Sequence, residues 1–150
     1  MSLEIQINSD IKSSMIAKDK RKLEALRAVK SALLLIKTGK DTSFAEVPKE
    51  LELKTLQKLI KQRKESAEIF KTQDRVEMAE EELYQADIIQ AYLPAQMGED
   101  EIKTIIEKII ADTGASSMKD MGKVMGMASK QLAGKADNKI VSNIVRTLLG

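Results

Sequence analysis

Apolar residues recur at three- and four-residue intervals along nearly all of this 150-residue chain, and no stretch sustains the two-residue alternation of a strand. Leu3, Ile7, Ile11 and Met15 define one face of a first helix. Asp19 is placed to cap a second helix, whose core stripe is Leu23, Leu26, Val29, Leu33 and Ile36, with Gly39 at its C-terminal end. A polar connection, Asp41 to Val47, leads to Pro48 as the first residue of a third helix. That helix buries Leu51, Leu56, Leu59, Ile60, Ala67 and Phe70. Asp74 with Glu77 three residues on has the form of a capping box and opens a fourth helix carrying Val76, Ala79, Leu83, Ala86, Ile89 and Leu93. The predicted class is all-α.

The helical pattern breaks once in a way that divides the chain. Proline has no amide hydrogen and disfavours helix at the residue before it, so Leu93-Pro94 stops the fourth helix. Tyr92, Leu93 and Met97 are large apolar groups around this stop, more than a solvated linker needs. The expectation is a short, partly packed joint between an N-terminal helical domain, 1–93, and a smaller three-helix domain, 94–150, with a turn inside one domain as the alternative. In the latter, Ile102, Ile105, Ile106, Ile109 and Ile110 form a fifth helix ending near Gly114. Ser116 or Ser117 caps a sixth, built on Met121, Val124, Met125, Ala128 and Leu132 and ended by Gly134. Asp137 caps a seventh, with Val141, Ile144, Val145, Leu148 and Leu149 inward.

Composition removes whole classes of chemistry. With no Cys there is no thiolate nucleophile or zinc–thiolate site, and with no His the commonest general base and metal ligand are missing. The Lys-Ser pairs Lys12-Ser13 and Lys30-Ser31 are adjacent on helices and diverge by about 100°. Glu80, Glu81 and Glu82 read as a solvated helix face rather than a metal site. The segment Met121 to Gly126 lacks the spacing and the Lys-Ser/Thr end of a phosphate-binding loop, and its glycines read as places where two helices approach closely. No catalytic residue, metal or cofactor is expected. No apolar run approaches the roughly 20 residues that span a bilayer, and the N-terminus fits no targeting pattern, so no membrane partner and a cytoplasmic location are expected.

Charge is distributed unevenly although the net value is only +2. Nine basic residues fall between Lys12 and Lys40, Lys22, Arg27 and Lys30 among them, against Asp19 and Glu24; Lys54, Lys58, Lys61, Arg63 and Lys64 follow on the third helix. Six carboxylates between Asp74 and Asp87, with Arg75 alone opposing, then reverse the sign. In the C-terminal part Lys119, Lys123, Lys130, Lys135, Lys139 and Arg146 outnumber Asp120 and Asp137. The loop Gly134-Lys135-Ala136-Asp137-Asn138-Lys139 should leave helix-terminal amides open beside two lysines, a combination that suits phosphate. All four aromatic residues lie outside this unit, so recognition there would rest on backbone contact and shape rather than base stacking. The candidate nucleic-acid contacts are Lys123, Lys130, Lys135 and Lys139, extended by Lys22, Arg27, Lys30, Arg63 and Lys64.

Four stretches together resemble the YqeY (GatB/YqeY) family: Gln62 to Phe70, Tyr92 to Met97, Met121 to Gly126 and Gly134 to Lys139. They occur in the family's order over nearly the whole chain. One departure is visible, Gln73-Asp74 standing where the family often has a glycine pair, which bears on the capping of the fourth helix. The resemblance implies two helical domains, the second similar to the tail of the B subunit of the glutamine-dependent aspartyl/glutamyl-tRNA amidotransferase. In that enzyme the tail contacts the tRNA body while the chemistry sits in other domains. The expected function is therefore a non-catalytic tRNA-binding accessory protein, with the amidotransferase or other translation proteins as further partners. A helical protein–protein adaptor is the alternative, for which the Met residues at 118, 121, 125 and 127 offer an adaptable surface. The third reading is a carbon–nitrogen ligase using glutamine as amide donor, a class the family carries by association; the sequence has no nucleotide-binding motif or amidase apparatus to perform it.

Overall fold

A computed structural model describes residues 2–39 and 46–150. Lys40, Phe44 and most of the Asp41–Val47 connection lie outside the described residues. Among those described there are seven α-helices and no strand. They group into two compact units, Met1–Leu93 and Pro94–Gly150.

The first unit contains α1 (Leu3–Ile16), α2 (Lys20–Lys37), α3 (Lys49–Thr72) and α4 (Val76–Gln90). Leu26, Val29 and Leu33 of α2, Leu56 and Ile60 of α3, and Ala86 and Ile89 of α4 meet Leu3 and Ile7 of α1 in one core. Met15 does not join them. It is exposed, and Ser14 is buried in its place. The reason is angular: steps of four residues drift about 40° per step, so position 15 lies about 120° from Leu3 while position 14 returns to about 20°.

Helices α1 and α2 are joined by three residues. The Asp19 amide donates to the Ser14 carbonyl and the Lys18 amide to that of Met15, closing α1 with Lys18 left-handed at φ +58°. The Asp19 carboxylate then accepts from the Lys22 amide at 3.2 Å and starts α2, as its sequence position implies.

The same closure recurs between α3 and α4 and corrects the expected capping box. Asp74 is left-handed at φ +56°, its amide donating to Lys71 and that of Arg75 to Phe70 at 2.8 Å. Asp74 thus ends α3 rather than opening α4. Arg75 occupies the N-cap of α4 and makes no side-chain cap bond. Gln73-Asp74 therefore alters the end of the third helix, where a glycine would take the left-handed position without strain.

The second unit contains α5 (Glu99–Thr113), α6 (Met121–Gln131) and α7 (Asn138–Leu149), with a 3₁₀ turn over Met118–Asp120. Ile102, Ile106 and Ile109 pack against Val124, Ala128 and Leu132 and against Val141, Val145 and Leu149. Three carboxylates in the first turn of α5 complement its helix dipole, and Gly114 ends it at φ +69°. Ser117 caps the 3₁₀ turn by accepting from Lys119, so α6 begins later than expected. Gly122 and Gly126 do not bring helices together: an added Cβ on either would meet nothing within 4 Å.

The joint is tied down on each side within its own unit. On the first, Tyr92 and Leu93 pack against the core, and the Tyr92 hydroxyl donates to Asp10 of α1. On the second, Met97 packs against the other core and its amide donates to the Lys135 carbonyl at 2.9 Å.

Candidate nucleic-acid interface

The chain from α6 to α7 carries four of the candidate residues, and its shape follows from local rules. Lys123 and Lys130 are seven residues apart on α6, so they share a face about 10 Å apart along the axis. Both are exposed, with the partly exposed Met127 between them. Lys139 and Arg146 repeat that spacing on α7 and are likewise exposed. Ala136 is buried in the core, anchoring the connecting loop from within.

That loop is also held from outside. Gln96 donates through Nε2 to the Gly134 carbonyl at 2.7 Å, and the Met97 amide donates to the neighbouring Lys135 carbonyl. Two of the sequence stretches singled out above, Tyr92–Met97 and Gly134–Lys139, are thus hydrogen-bonded to one another. Gly134 is left-handed at φ +73°, and the Lys135 side chain projects to solvent from a backbone fixed at both its polar atoms.

Neither of the two lysines' own amides is open. The Lys135 amide donates to Leu132 and the Lys139 amide to the Asp137 carboxylate at 2.9 Å. A carboxylate at the start of α7 would compete with a phosphate for the helix terminus, which leaves the side-chain cations as the groups able to hold an anion here. Those cations are uncommitted: Lys123, Lys130, Lys135, Lys139 and Arg146 make no ion pair among the described residues. The two nearby carboxylates are occupied, Asp120 accepting from the Ser116 amide and Asp137 from that of Lys139.

The candidates in the first unit divide into two kinds. Arg27 and Lys30 are exposed on one face of α2, and Lys64 is exposed on α3. Lys22 is half-buried. Arg63 has an internal role, its Nε donating to Gln85 of α4 at 3.1 Å and a second nitrogen to the Leu59 carbonyl. Arg21, which sequence reasoning treated only as part of a basic run, pairs with Glu81 of α4 at 2.9 Å and lies 3.9 Å over the Tyr84 ring. The basic α2 and the acidic α4 are thus joined by an ion pair.

A family model described as YqeY-like protein matches residues 4–149. The chain belongs to the YqeY family. Among relatives of this YqeY-family chain is Altered inheritance of mitochondria protein 41, mitochondrial, from Pyrenophora tritici-repentis, 27% identical over 97% of this chain and 80% of that protein. The motif stretches that carry the family resemblance include the two now seen to be bonded together around Gly134 and Lys135.

A feature that sequence reasoning missed lies between α5 and α7. Ile140, Ile144 and Leu148 line an open groove of about 240 Å³ with Glu99, Lys103, Asn143 and Thr147. Its signal was Ile140, an apolar residue outside the inward stripe Val141, Val145, Leu149. Among the described residues no group of three or more carboxylates is arranged to hold a metal ion, and no helix is long and apolar enough to cross a membrane.

Proposed function

We propose that this YqeY-family chain is a helical accessory protein that binds tRNA in the cytoplasm, with the exposed cations of α6, α7 and their loop contacting phosphates. The observation that carries this reading is the set of five cations without ion pairs, Lys123, Lys130, Lys135, Lys139 and Arg146, beside carboxylates already hydrogen-bonded to backbone amides. Phosphate contacts of this kind supply affinity through counterion release and carry no base information. Specificity for tRNA would then come from its shape, read by a loop whose backbone is fixed by Gln96 and Met97. Arg27, Lys30 and Lys64 extend the basic surface; Arg63, committed to the α3–α4 hairpin, contributes less.

Filter binding of total tRNA at two salt concentrations, beside a DNA duplex of equal length, tests the reading. The expected result is steeply salt-dependent binding that prefers tRNA and weakens, with a shallower salt slope, when Lys135 and Lys139 are both changed to Gln. Equal binding to duplex DNA, or affinity unchanged in the double variant, overturns it.

The α5–α7 groove supports the adaptor reading as the second choice, because an apolar floor with a polar rim accepts one face of an amphipathic helix. A stoichiometric protein partner retained after nuclease treatment, and lost on Ile144→Glu, would favour it. Glutamine-dependent ammonia release by the purified chain would be required for the ligase reading.

A further inference from the structure

The corner where α1 turns into α2 has a composition that neither tRNA binding nor core packing explains. Met15 and Ile16 are 56% and 75% exposed, and Ile16 is the most exposed large apolar residue among those described. Around them Lys12, Ser13, Ala17, Lys18, Lys20 and Arg21 are exposed as well. Among the described residues these two neighbouring aliphatic groups are more exposed than buried.

Unpaired cations outnumber carboxylates around this pair, and two of the carboxylates are held in internal hydrogen bonds. Asp10 accepts from the Tyr92 hydroxyl and Asp19 from the Lys22 amide. Arg21 is paired with Glu81. Lys12, Lys18, Lys20 and Lys22 make no ion pair among the described residues, and Glu24, one turn further along α2, is the remaining carboxylate of the corner. Lys18 adds a second indication. It occupies a left-handed position, φ +58°, where glycine is the least strained residue. A lysine there gives the corner a cation at a backbone cost that the turn itself does not require.

We propose that the α1–α2 corner docks on an anionic lipid surface, Met15 and Ile16 entering the headgroup region while Lys12, Lys18, Lys20 and Lys22 engage lipid phosphates. An exposed apolar turn surrounded by long flexible cations suits a soft, flat, negatively charged surface. Peripheral attachment of this kind needs no membrane-crossing helix.

The test is co-sedimentation of the full chain with phosphatidylcholine vesicles, with and without phosphatidylglycerol. Binding is expected only to the anionic vesicles and should weaken with salt. The double variant Met15→Ser, Ile16→Ser should weaken it about tenfold, and Lys18→Gly about fivefold. Lys18→Gly is the more discriminating variant, because it relaxes the backbone and should raise the melting temperature while it lowers vesicle binding. The Lys135, Lys139 double variant should leave vesicle binding unchanged, which keeps this proposal separate from the tRNA reading. No sedimentation with anionic vesicles overturns it, as does sedimentation indifferent to the corner variants. Corner variants that lose tRNA affinity and not vesicle binding would assign the corner to RNA.

Discussion

The two units handle charge in opposite ways. The four ion pairs among the described residues all lie in the first: Arg21–Glu81, Lys37–Glu4, Lys54–Glu50 and Lys71–Glu68. Two of them join different helices, so opposite charges there help to fasten α2 to α4 and α1 to α2. In the second unit charge is segregated instead. Helix α5 holds Glu99, Asp100, Glu101, Glu107 and Asp112 against Lys103 and Lys108, while the chain after it is basic. Its helices are held by an aliphatic core, by caps and by the bonds from Gln96 and Met97. Exposed ion pairs contribute roughly 0–1 kcal/mol each, so leaving them out costs the second unit little stability and leaves its cations open to a partner.

That difference predicts where each unit is vulnerable. Ile106→Ala removes a fully buried side chain from the smaller core, and Ile89→Ala does the same in the larger one. Each should cost about 2–5 kcal/mol. A core as small as that of Pro94–Gly150 has little reserve, so the Ile106 variant should lose its α5–α7 structure while the first unit stays folded. The Ile89 variant should keep both. Limited proteolysis with amide exchange on the two variants measures this, and coincident loss of both units in Ile106→Ala would show that they fold as one.

The first unit should also respond to alkaline pH through a contact that the second lacks. Burial, and secondarily the hydrogen bond to Asp10 and its charge, push the Tyr92 hydroxyl well above the ordinary tyrosine range. A group whose folded value is raised contributes stability that is complete below its unfolded value, near 10, and is lost as pH rises toward the folded value. Tyr92→Phe should therefore cost about 1 kcal/mol at neutral pH. The gap between wild type and variant should close progressively above pH of about 10. Denaturant unfolding followed at several pH values, using a signal from the first unit, reads this directly. A gap that stays constant with pH would mean the hydroxyl contributes only through packing.

Much of this architecture was legible in the amino-acid sequence because it depends on periodicity. The inward stripes of α2, α5 and α7 followed from residues such as Leu26, Ile106 and Val145, and the caps Asp19 and Asp137 stand where an acidic residue precedes an apolar repeat. What was not legible depends on backbone conformation or on distant partners. Ser14 replaces Met15 because the four-residue repeat drifts off the helical period. Asp74 resembles an N-cap in sequence, and only its positive φ reveals that it ends the preceding helix. The pairing of Gln96 with Gly134 joins residues 38 apart in sequence, and nothing in either stretch announces the other. The basic candidates looked alike in sequence; partners on other elements separate Arg63 from Lys64.

The smallest and sharpest contrast between the units is how they end their helices. The first uses Lys18 and Asp74 at positive φ, the second Gly114 and Gly134. A non-glycine residue in the left-handed region is strained by roughly 1–2 kcal/mol, somewhat less for Asp, whose side chain tolerates it. Gly114 has open space around the position of an added Cβ, so Gly114→Ala isolates the backbone term and should destabilise the second unit by about 1 kcal/mol. Asp74→Gly is its mirror image. Relief of strain favours the variant, while glycine's greater freedom in the unfolded chain offsets part of the gain, leaving a net stabilisation of about 0.5 kcal/mol. Thermal unfolding of the two variants beside wild type should thus give shifts of opposite sign. If Asp74→Gly lowers the melting temperature instead, the Asp74 carboxylate makes a compensating interaction, and the end of α3 has become a feature particular to this chain rather than a tolerated departure from glycine.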